Sequence, residues 1–531
     1  MPFPERHRSN PPGESESAGC RLVGSEERRY VRSLVLGALL LCGLARPVAA
    51  ELLSGATIYD GSGGAPYTGS VRVEGGRIRA VGRTLRARPG ETVRSLAGFA
   101  LAPGFIDMHS HADRGLAAMP GAETVVRQGI TTVLVGQDGY SPYPLADFFA
   151  EIKKNPVALN VAAMVGHTAL REQAMKPDTN RAATAAEIRT MRRLLAQEMN
   201  TGAFGLSTGL EYAGAYSATT AEVIALARVA AARGGFYISH VRDEGNAVFD
   251  AFAEVIAIGR GARIPVEISH IKLGTVPVWN QAATRIPKLF AEARRVGVDL
   301  TADVYPYTYW QSTLRVIVPD RDYFNATKVE RAIADNGGAA RIRFAAYEPD
   351  PTLAGLTLAE VARRWQLSPT DAFMRVVRET EPGPDGRSKA ENVIVESMSE
   401  ADVRWLVAAP NITYCTDGEL AGSHPRGAGS FPRILGRYVR EEGALPLALA
   451  VRKLTALPAA RLGLRERGRI QPGAWADLVV FDPRQVRDQA TIEEPLAAPE
   501  GIAGVMVNGR WVIDGGKPTG ARPGQVLRRG Q

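Results

Sequence analysis

Short apolar segments that end in a metal-ligand type of residue are the feature that most restricts how this chain can fold. Four such segments cover residues 161–167, 236–240, 266–270 and 411–417 and end in His167, His240, His270 and Asp417. A further pair, His109 and His111, follows the apolar residues 105 and 106. Ligand-type residues at the C-terminal ends of parallel strands are typical of a (β/α)8 barrel, whose active site lies on that rim. The pattern therefore predicts a barrel and a metal site together.

The middle of the chain alternates strand-like and helix-like segments, which favours parallel strands joined by helices. The strand candidates are 131–136, 159–165, 204–207, 236–239, 266–269 and 300–305, and helical patterns include 220–233 and 247–260. About eight such units predict an α/β fold, a (β/α)8 TIM barrel over residues 103–465. One surplus strand candidate, 392–396, is assigned to an insertion expected around residues 310–390.

The two ends of the mature chain are both rich in short strands and turns. Residues 70–81 form two strand patterns joined by Gly75-Gly76, which predicts a hairpin, and residues 477–482 and 504–512 are similar. We therefore expect a small split domain built from residues 51–102 together with 466–520.

The first fifty residues predict a secretory signal and not a part of the fold. Three arginines, at 28, 29 and 32, precede the apolar run 34–41, and small residues lead to a cleavage point after Ala50. The run is too short to span a membrane, although an anchor that stays uncleaved is the alternative. We expect an exported, periplasmic protein of a bacterium without stable membrane association after cleavage.

Cysteine content and charge exclude two further classes of protein. Of the three cysteines, Cys20 and Cys42 lie in the leader, so Cys415 alone remains and no internal disulfide can form. The net charge is +8, but no run of Lys and Arg occurs in the body of the chain, which argues against nucleic-acid binding. We expect a small-molecule substrate, and the sequence makes no prediction of oligomeric state.

The spacing of the strand-end residues indicates how they would hold a metal. His109 and His111 are two residues apart on an extended strand end, so they point to the same side. His240 and His270 are 30 residues apart, about one strand-helix unit, which places them on adjacent strands. Imidazole nitrogen and carboxylate oxygen suit zinc, and a catalytic site leaves room for water. Asp417, on the last strand, is the expected acceptor of the proton from that water.

Several longer motifs resemble the amidohydrolase superfamily, and within it the N-acyl-D-amino-acid deacylase (D-aminoacylase) family. They cover residues 102–111, 207–212, 240–245, 269–272, 303–307, 424–426 and 431–433. The resemblance implies a distorted TIM barrel with a small β-sandwich made from both chain ends. It also implies that His240 and His270 bind a tightly held zinc ion (Zn2+), that His109 and His111 bind a weaker one, and that Asp417 is the general acid and base. Lys272, Tyr305 and Arg426 match residues that bind the α-carboxylate of the substrate, as two cations and a phenol would.

One position departs from the family. Where the family has a cysteine that ligates zinc, in Gly-Asn-Cys-Gly, this chain has Asp138, in Gly136-Gln137-Asp138-Gly139. A carboxylate could bridge two ions, and its harder oxygen could shift preference from Zn2+ toward Mn2+ or Co2+. The alternative is one ion, with Asp138 behind its ligands. His167 also matches a family position, where it could donate to the reacting carbonyl or be structural.

The resemblance implies metal-dependent hydrolysis of the amide bond of N-acyl-D-amino acids, which releases a carboxylate and a free D-amino acid. The alternative is an amidohydrolase that acts on D-residue dipeptides or on cyclic amides, as dihydroorotases and hydantoinases do. A third hypothesis, a binding protein on an enzyme scaffold, requires that the protein bind no metal.

Overall fold

Strands that originate from all parts of the chain form four sheets. The protein is described by a computed structural model over residues 50–382 and 388–530. In chain order the strands are β1 (Glu51–Ile58), β2 (Tyr67–Glu74), β3 (Arg77–Gly82), β4 (Thr92–Ser95), β5 (Ala100–Pro103), β6 (Phe105–Asp107), β7 (Ile130–Val135), β8 (Asn160–Ala163), β9 (Val165–Gly166), β10 (Gly205–Gly209), β11 (Phe236–His240), β12 (Val266–Ile268), β13 (Leu300–Val304), β14 (Trp310–Ser312), β15 (Ile342–Tyr347), β16 (Glu391–Val395), β17 (Ile412–Tyr414), β18 (Leu478–Phe481), β19 (Ile502–Val507), β20 (Arg510–Asp514) and β21 (Lys517–Pro518).

Helices connect these strands through most of the middle of the chain. The α-helices are Glu123–Val126, Leu145–Lys154, His167–Met175, Ala185–Thr201, Ala213–Tyr216, Thr220–Ala231, Val248–Ala262, Ala282–Arg295, Ala326–Asp335, Leu358–Trp365, Pro369–Glu379, Glu400–Ala408, Arg426–Arg433, Leu447–Leu454 and Ala456–Leu462. Short 3-10 helices lie at Ala112–Arg114, Val276–Val278, Leu314–Ile317, Ala339–Arg341 and Pro351–Leu353, and a π-helix, Ile434–Glu441, continues the helix that ends at Arg433.

The N-terminal and C-terminal strands share one nine-stranded sheet. Its order is β21-β20-β19-β18-β5-β1-β2-β3, and β4 pairs in parallel with β1. Within this sheet the two chain ends pair through the antiparallel strands β18 and β5, in which Val479 lies opposite Ala102. The predicted hairpin is β2 and β3, which turn at Gly75 and Gly76, both in the left-handed region that glycine tolerates.

The middle of the chain forms two parallel sheets, which gives an α/β fold. One has the order β17-β13-β12-β11-β10-β9 and the other the order β6-β7-β8. Only Met164 separates β8 from β9, and Ala163 O on β8 accepts from the backbone N–H of Phe204, which directly precedes β10, at 2.9 Å. At the other edge, Asp417 N donates to His109 O at 2.8 Å. Backbone hydrogen bonds therefore join the two sheets at both ends.

The six predicted strands of the middle region and the two predicted helices are present, with ends shifted by a few residues at most. All five residues of β10 and of β11 are buried, so neither strand alternates between buried and exposed side chains. Strands covered on both faces have this uninterrupted character. Helices cover the sheets from outside, and Val248–Ala262, for example, buries Phe252 and Val255.

The predicted surplus strand is β16, and it lies in a separate antiparallel sheet of order β14-β16-β15. This small sheet and the helices from Ala326–Asp335 to Pro369–Glu379 lie in the region around residues 310–390 for which an insertion is predicted. The predicted leader lies outside the described residues. Within the described ranges no helix is long and apolar enough to cross a membrane, and Cys415 is buried and unpaired.

Candidate metal centre

The predicted ligands all follow the C-terminal ends of parallel strands. His109 and His111 follow β6, Asp138 follows β7, His240 ends β11, His270 follows β12 and Asp417 follows β17. Each of these six side chains is at least nine-tenths buried. Asp138, His270 and Asp417 have φ angles of 56°, 32° and 47°, a left-handed conformation that non-glycine residues adopt at some cost. These turns direct the three side chains toward one another.

The ligand atoms of this group lie at the separations that a tetrahedral metal requires. His109 Nε2 is 3.4 Å from an oxygen of Asp138 and 3.4 Å from an oxygen of Asp417. His270 Nε2 is 3.5 Å from Asp138 Oδ1 and 3.1 Å from His240 Nδ1. Zinc bonds of about 2.0–2.1 Å at tetrahedral angles place neighbouring ligand atoms about 3.3 Å apart. The residues present therefore fit zinc.

Asp138 occupies the centre of the cluster. Its two oxygens face three histidines: Oδ1 lies within 3.5 Å of His109 and His270, and Oδ2 lies 3.3 Å from His111 Nε2. A carboxylate that faces histidines from both halves of the cluster is placed to bridge two ions. The geometry supports the hypothesis that Asp138 is a ligand.

Neighbouring positive charge keeps the two buried carboxylates of the cluster ionised. Burial opposes ionisation of Asp417, but the Arg426 guanidinium and His270 hold the pKa of its carboxyl well below the usual range. Burial likewise opposes ionisation of Asp138, yet His109 and its neighbours keep the pKa of Asp138 low. Although burial disfavours its charge, hydrogen bonds to Asp138 and Asp417 raise the pKa of His111 to about 9. Either protons on histidines or a metal cation satisfies these carboxylates.

Two cations line the same cavity, each bound to a carboxylate. Lys272 Nζ donates to Glu244 Oε1 at 2.6 Å, and Arg426 Nη1 lies 2.6 Å from Asp417 Oδ2. Tyr305 lies between them, with Lys272 Nζ 5.7 Å and Arg426 Cζ 4.9 Å from its ring centroid. Its hydroxyl has no hydrogen-bond partner within the described residues. The structure thus brings the three residues predicted to bind a carboxylate together beside the metal ligands.

The cavity has a volume of about 1360 Å³ and opens between the strand ends and the insertion. The predicted residues on its wall are His111, Asp138, His240, His270, Lys272, Asp417 and Arg426. His109 and Tyr305 lie behind this wall, at 0% and 2% exposure, and contact the cluster from there.

His167 is not part of this cavity, which corrects its assignment as a substrate-binding residue. Strand β9 ends at Gly166, and His167 begins the helix His167–Met175, so its side chain turns away from the strand ends. His167 Nε2 is 2.9 Å from Glu222 Oε1, and the Arg171 guanidinium binds the same oxygen. The side chain is fully buried, and that burial lowers its pKa. These contacts fit the alternative prediction that His167 has a structural role.

Two carboxylates at the cluster were not singled out from the sequence. Glu211 Oε2 lies 2.9 Å from His240 Nε2, and Glu244 Oε1 lies 3.0 Å from His270 Nδ1. Both belong to motifs that the family resemblance rests on, and Glu244 follows His240 by four residues. The four-residue spacing was the one cue in the sequence that could have pointed to Glu244. It carries little information, because Glu244 lies in a loop, where neither helix nor strand periodicity applies.

Comparison with known proteins agrees with this geometry. A family profile described as "Amidohydrolase family" matches residues 92–513. The N-acyl-D-glutamate deacylase of Alcaligenes xylosoxydans xylosoxydans is 38% identical over 502 residues, which are 90% of this chain and 96% of that protein.

Two solved structures are also similar. The N-acyl-D-glutamate deacylase of Bordetella bronchiseptica, complexed with zinc and a phosphonate that mimics the tetrahedral intermediate, has a TM-score of 0.80 and 37% identity. A D-aminoacylase described as having a binuclear metal centre has a TM-score of 0.79 and 34% identity. Each match covers 90% of this chain and 99% of the other.

Proposed function

This chain belongs to the amidohydrolase family, and from that premise we propose that it hydrolyses the amide bond of N-acyl-D-amino acids in a zinc-dependent reaction. One observation carries the proposal: strand-end ligands and a pair of cations that suits a carboxylate line the same cavity. Relatives whose alignments cover 90% of this chain are named for this activity, and the structure of one of them contains zinc. These findings support both the substrate class and the metal.

The finer architecture is part of the same proposal. The backbone hydrogen bonds from Phe204 to Ala163 and from Asp417 to His109 support a distorted (β/α)8 barrel over residues 103–465, in which the two parallel sheets are arcs of one ring. The shared sheet of the chain ends supports a small β-sandwich domain from residues 51–102 and 466–520. The composition of residues 1–50 supports a cleaved secretory leader and a periplasmic location.

The proposed metal ligands are His240, His270 and Asp138 for one ion and His109, His111 and Asp138 for a second. Their imidazole and carboxylate donors suit zinc, and the oxygen of Asp138 also suits Mn2+ or Co2+. Bound zinc supplies Lewis acidity, which activates water and polarises an amide carbonyl. All remaining steps depend on side chains of the chain itself.

Asp417 moves the proton in this proposal. Its carboxylate is ionised, because Arg426 and His270 hold its pKa low, so it can accept a proton from the attacking water. The same carboxyl then donates that proton to the leaving nitrogen, whose release completes the cleavage of the amide bond. Arg426 must be shared between Asp417 and the substrate, since Nη1 already contacts Asp417 Oδ2.

Lys272, Arg426 and Tyr305 orient the substrate. Two cations and an unpartnered hydroxyl can bind the α-carboxylate of an acyl-amino acid by charge-assisted hydrogen bonds. Binding there places the acyl nitrogen at a set distance from the strand-end ligands. A cyclic amide without a free α-carboxylate would not use this subsite.

The test is a substrate panel with metal-stripped and zinc-reconstituted protein. We expect hydrolysis of N-acetyl derivatives of D-glutamate, D-aspartate and D-leucine, with activity that disappears without metal. Arg426→Met should raise KM for these linear substrates about 10- to 100-fold, since charge-assisted hydrogen bonds contribute roughly 1.5–3 kcal/mol. Turnover of hydantoins or of D-residue dipeptides alone, equally fast in Arg426→Met, would contradict the proposal.

A further inference from the structure

Two of the four cluster histidines are backed by a carboxylate on the ring nitrogen that faces away from the cluster. His240 directs Nδ1 at His270 Nε2, 3.1 Å away, while its Nε2 lies 2.9 Å from Glu211 Oε2. His270 directs Nε2 at Asp138, and its Nδ1 lies 3.0 Å from Glu244 Oε1. Each histidine therefore has one ring nitrogen toward the other cluster residues and the other toward a glutamate, although His240 Nδ1 also lies 3.8 Å from Glu244 Oε1.

The other half of the cluster has no such support within the described residues. Neither ring nitrogen of His109 has a hydrogen-bond partner, and Nδ1, which faces away, is buried. The carboxylates within ion-pair distance of His111 are Asp138 and Asp417, and both approach its Nε2 on the cluster side. The two halves of the site therefore differ: within the described residues, the outer ring nitrogens of His240 and His270 contact glutamates, and those of His109 and His111 do not.

This difference has a physical consequence. A carboxylate that accepts the outer N–H of a metal-binding histidine fixes the tautomer and the ring orientation, and it makes the inner nitrogen a better electron donor. We propose that Glu211 and Glu244 are positioning residues for His240 and His270, and that their contacts with the outer ring nitrogens are the cause of the tighter ion binding that the family resemblance implies for this half of the site. The inference rests on the metal site of the proposed function and not on its substrate.

Glu211 provides the clearer test of the two glutamates. The Glu244 oxygen that contacts His270 also accepts from Lys272 Nζ at 2.6 Å, and Lys272 lies 2.8 Å from His270 Nδ1. Replacement of Glu244 would thus disturb the carboxylate subsite as well. The Glu211 carboxylate has His240 as its hydrogen-bond partner, and its backbone carbonyl accepts separately from Arg321.

The experiment measures zinc affinity without any substrate. Metal-stripped wild type and Glu211→Gln are titrated with zinc in competition with a chromophoric chelator, and thermal unfolding of each apo-protein checks its fold. We expect the tighter dissociation constant to rise about 10- to 100-fold in Glu211→Gln, while the weaker constant stays unchanged. Glu211→Asp, which keeps the charge, should retain more of the affinity, and it serves as the second variant if Glu211→Gln does not fold.

Glu222→Gln is the matched control. Glu222 binds a buried histidine in the same way, but that histidine, His167, lies outside the cavity, so both zinc constants should match wild type. Two distinguishable constants in wild type that are both unchanged in Glu211→Gln would overturn this inference alone. A wild type that binds no zinc would overturn the proposed function and the inference with it.

Discussion

Asp138 is the single residue on which the metal chemistry of this chain depends most. It faces three histidines from a strained left-handed turn, and its neighbour Gly139 also has a positive φ. A Cβ on Gly139 would lie 2.9 Å from Thr168 Oγ1 and 3.0 Å from the backbone nitrogen of Gly209. Glycine is therefore required beside Asp138, and the tight packing holds the carboxylate in the cluster.

Replacement of Asp138 should change metal content. We expect Asp138→Ala to lose at least one bound ion, and Asp138→Cys to regain zinc but to bind Mn2+ more weakly than wild type, because thiolate is softer than carboxylate. Elemental analysis after dialysis measures both. Glu419→Gln, which changes a half-exposed carboxylate on the cavity wall that pairs with Arg114, is the control and should keep its metal. Full metal content in Asp138→Ala would show that Asp138 is not a ligand.

Asp417 carries the proton transfer at the same scale. We expect Asp417→Asn to lower kcat by about 10²- to 10⁴-fold, the usual contribution of a general acid or base. Metal content, measured in parallel, separates this loss from loss of an ion, since Asp417 also lies close to His109 and His111. A kcat within tenfold of wild type at full metal content would assign the proton transfer to another group.

At the scale of elements, the strand ends carry the predicted ligands, and residues from about 310 to 392 line the opposite wall of the cavity. Glu391, on β16, lines the cavity and accepts the backbone N–H of Leu314 with both oxygens, at 2.8 and 2.9 Å. Burial raises the pKa of this carboxyl to about 7, although the Leu314 N–H and Arg315 oppose the shift. The Glu391 carboxyl therefore keeps its proton to a higher pH in the folded state than in the unfolded state.

That shift makes the stability of the protein depend on pH. The unfolded chain releases this proton near its ordinary pKa of 4.5, while the folded chain keeps it up to about 7, so stability falls as pH rises through that window. Glu391→Gln removes this contribution. When the pH is raised from 5 to 8, the Tm of Glu391→Gln minus the Tm of wild type should increase by about 3 °C. A pH-independent difference in Tm would contradict the assigned shift.

Elements also show what the sequence could predict. Strands buried on both faces leave short, mainly apolar segments, so the ends of β11 and β12, and with them His240 and His270, could be located. Glu211 and Glu244 could not, because they lie in loops, where only three-dimensional contact reveals a partner. His167 follows an apolar run in the same way, but it begins a helix. No capping side chain marks that helix start, so the sequence did not distinguish it from a strand end.

The two chain ends meet the middle of the molecule at a buried polar network. Arg467 pairs with Asp477, whose Oδ1 accepts from Asn508 N at 2.7 Å and whose Oδ2 lies 3.2 Å from Asn160 Nδ2 on β8. Arg467 Nη2 also donates to Asn508 Oδ1 at 2.8 Å. This network links the chain-end sheet to the parallel sheet that positions Asp138.

Removal of one partner from this network should destabilise the whole molecule. Arg467→Met leaves Asp477 buried without its cation, which typically costs about 3–5 kcal/mol. The double variant Arg467→Met/Asp477→Asn carries no buried charge and should recover part of that loss. Thermal or urea unfolding of the zinc-loaded proteins measures both, and equal losses in the single and double variants would show that the charge pair is not the cause.

At the scale of the molecule, the central claim is that these strand-end ligands and cations serve zinc-dependent deacylation of D-amino acids. The most direct measurement is the release of free amino acid from N-acetyl-D-glutamate and from its L enantiomer by zinc-loaded protein, with metal-stripped protein beside it. We expect release from the D enantiomer, strongly favoured over the L enantiomer and abolished without metal. No release from the D enantiomer, or equal release from both enantiomers, would contradict it.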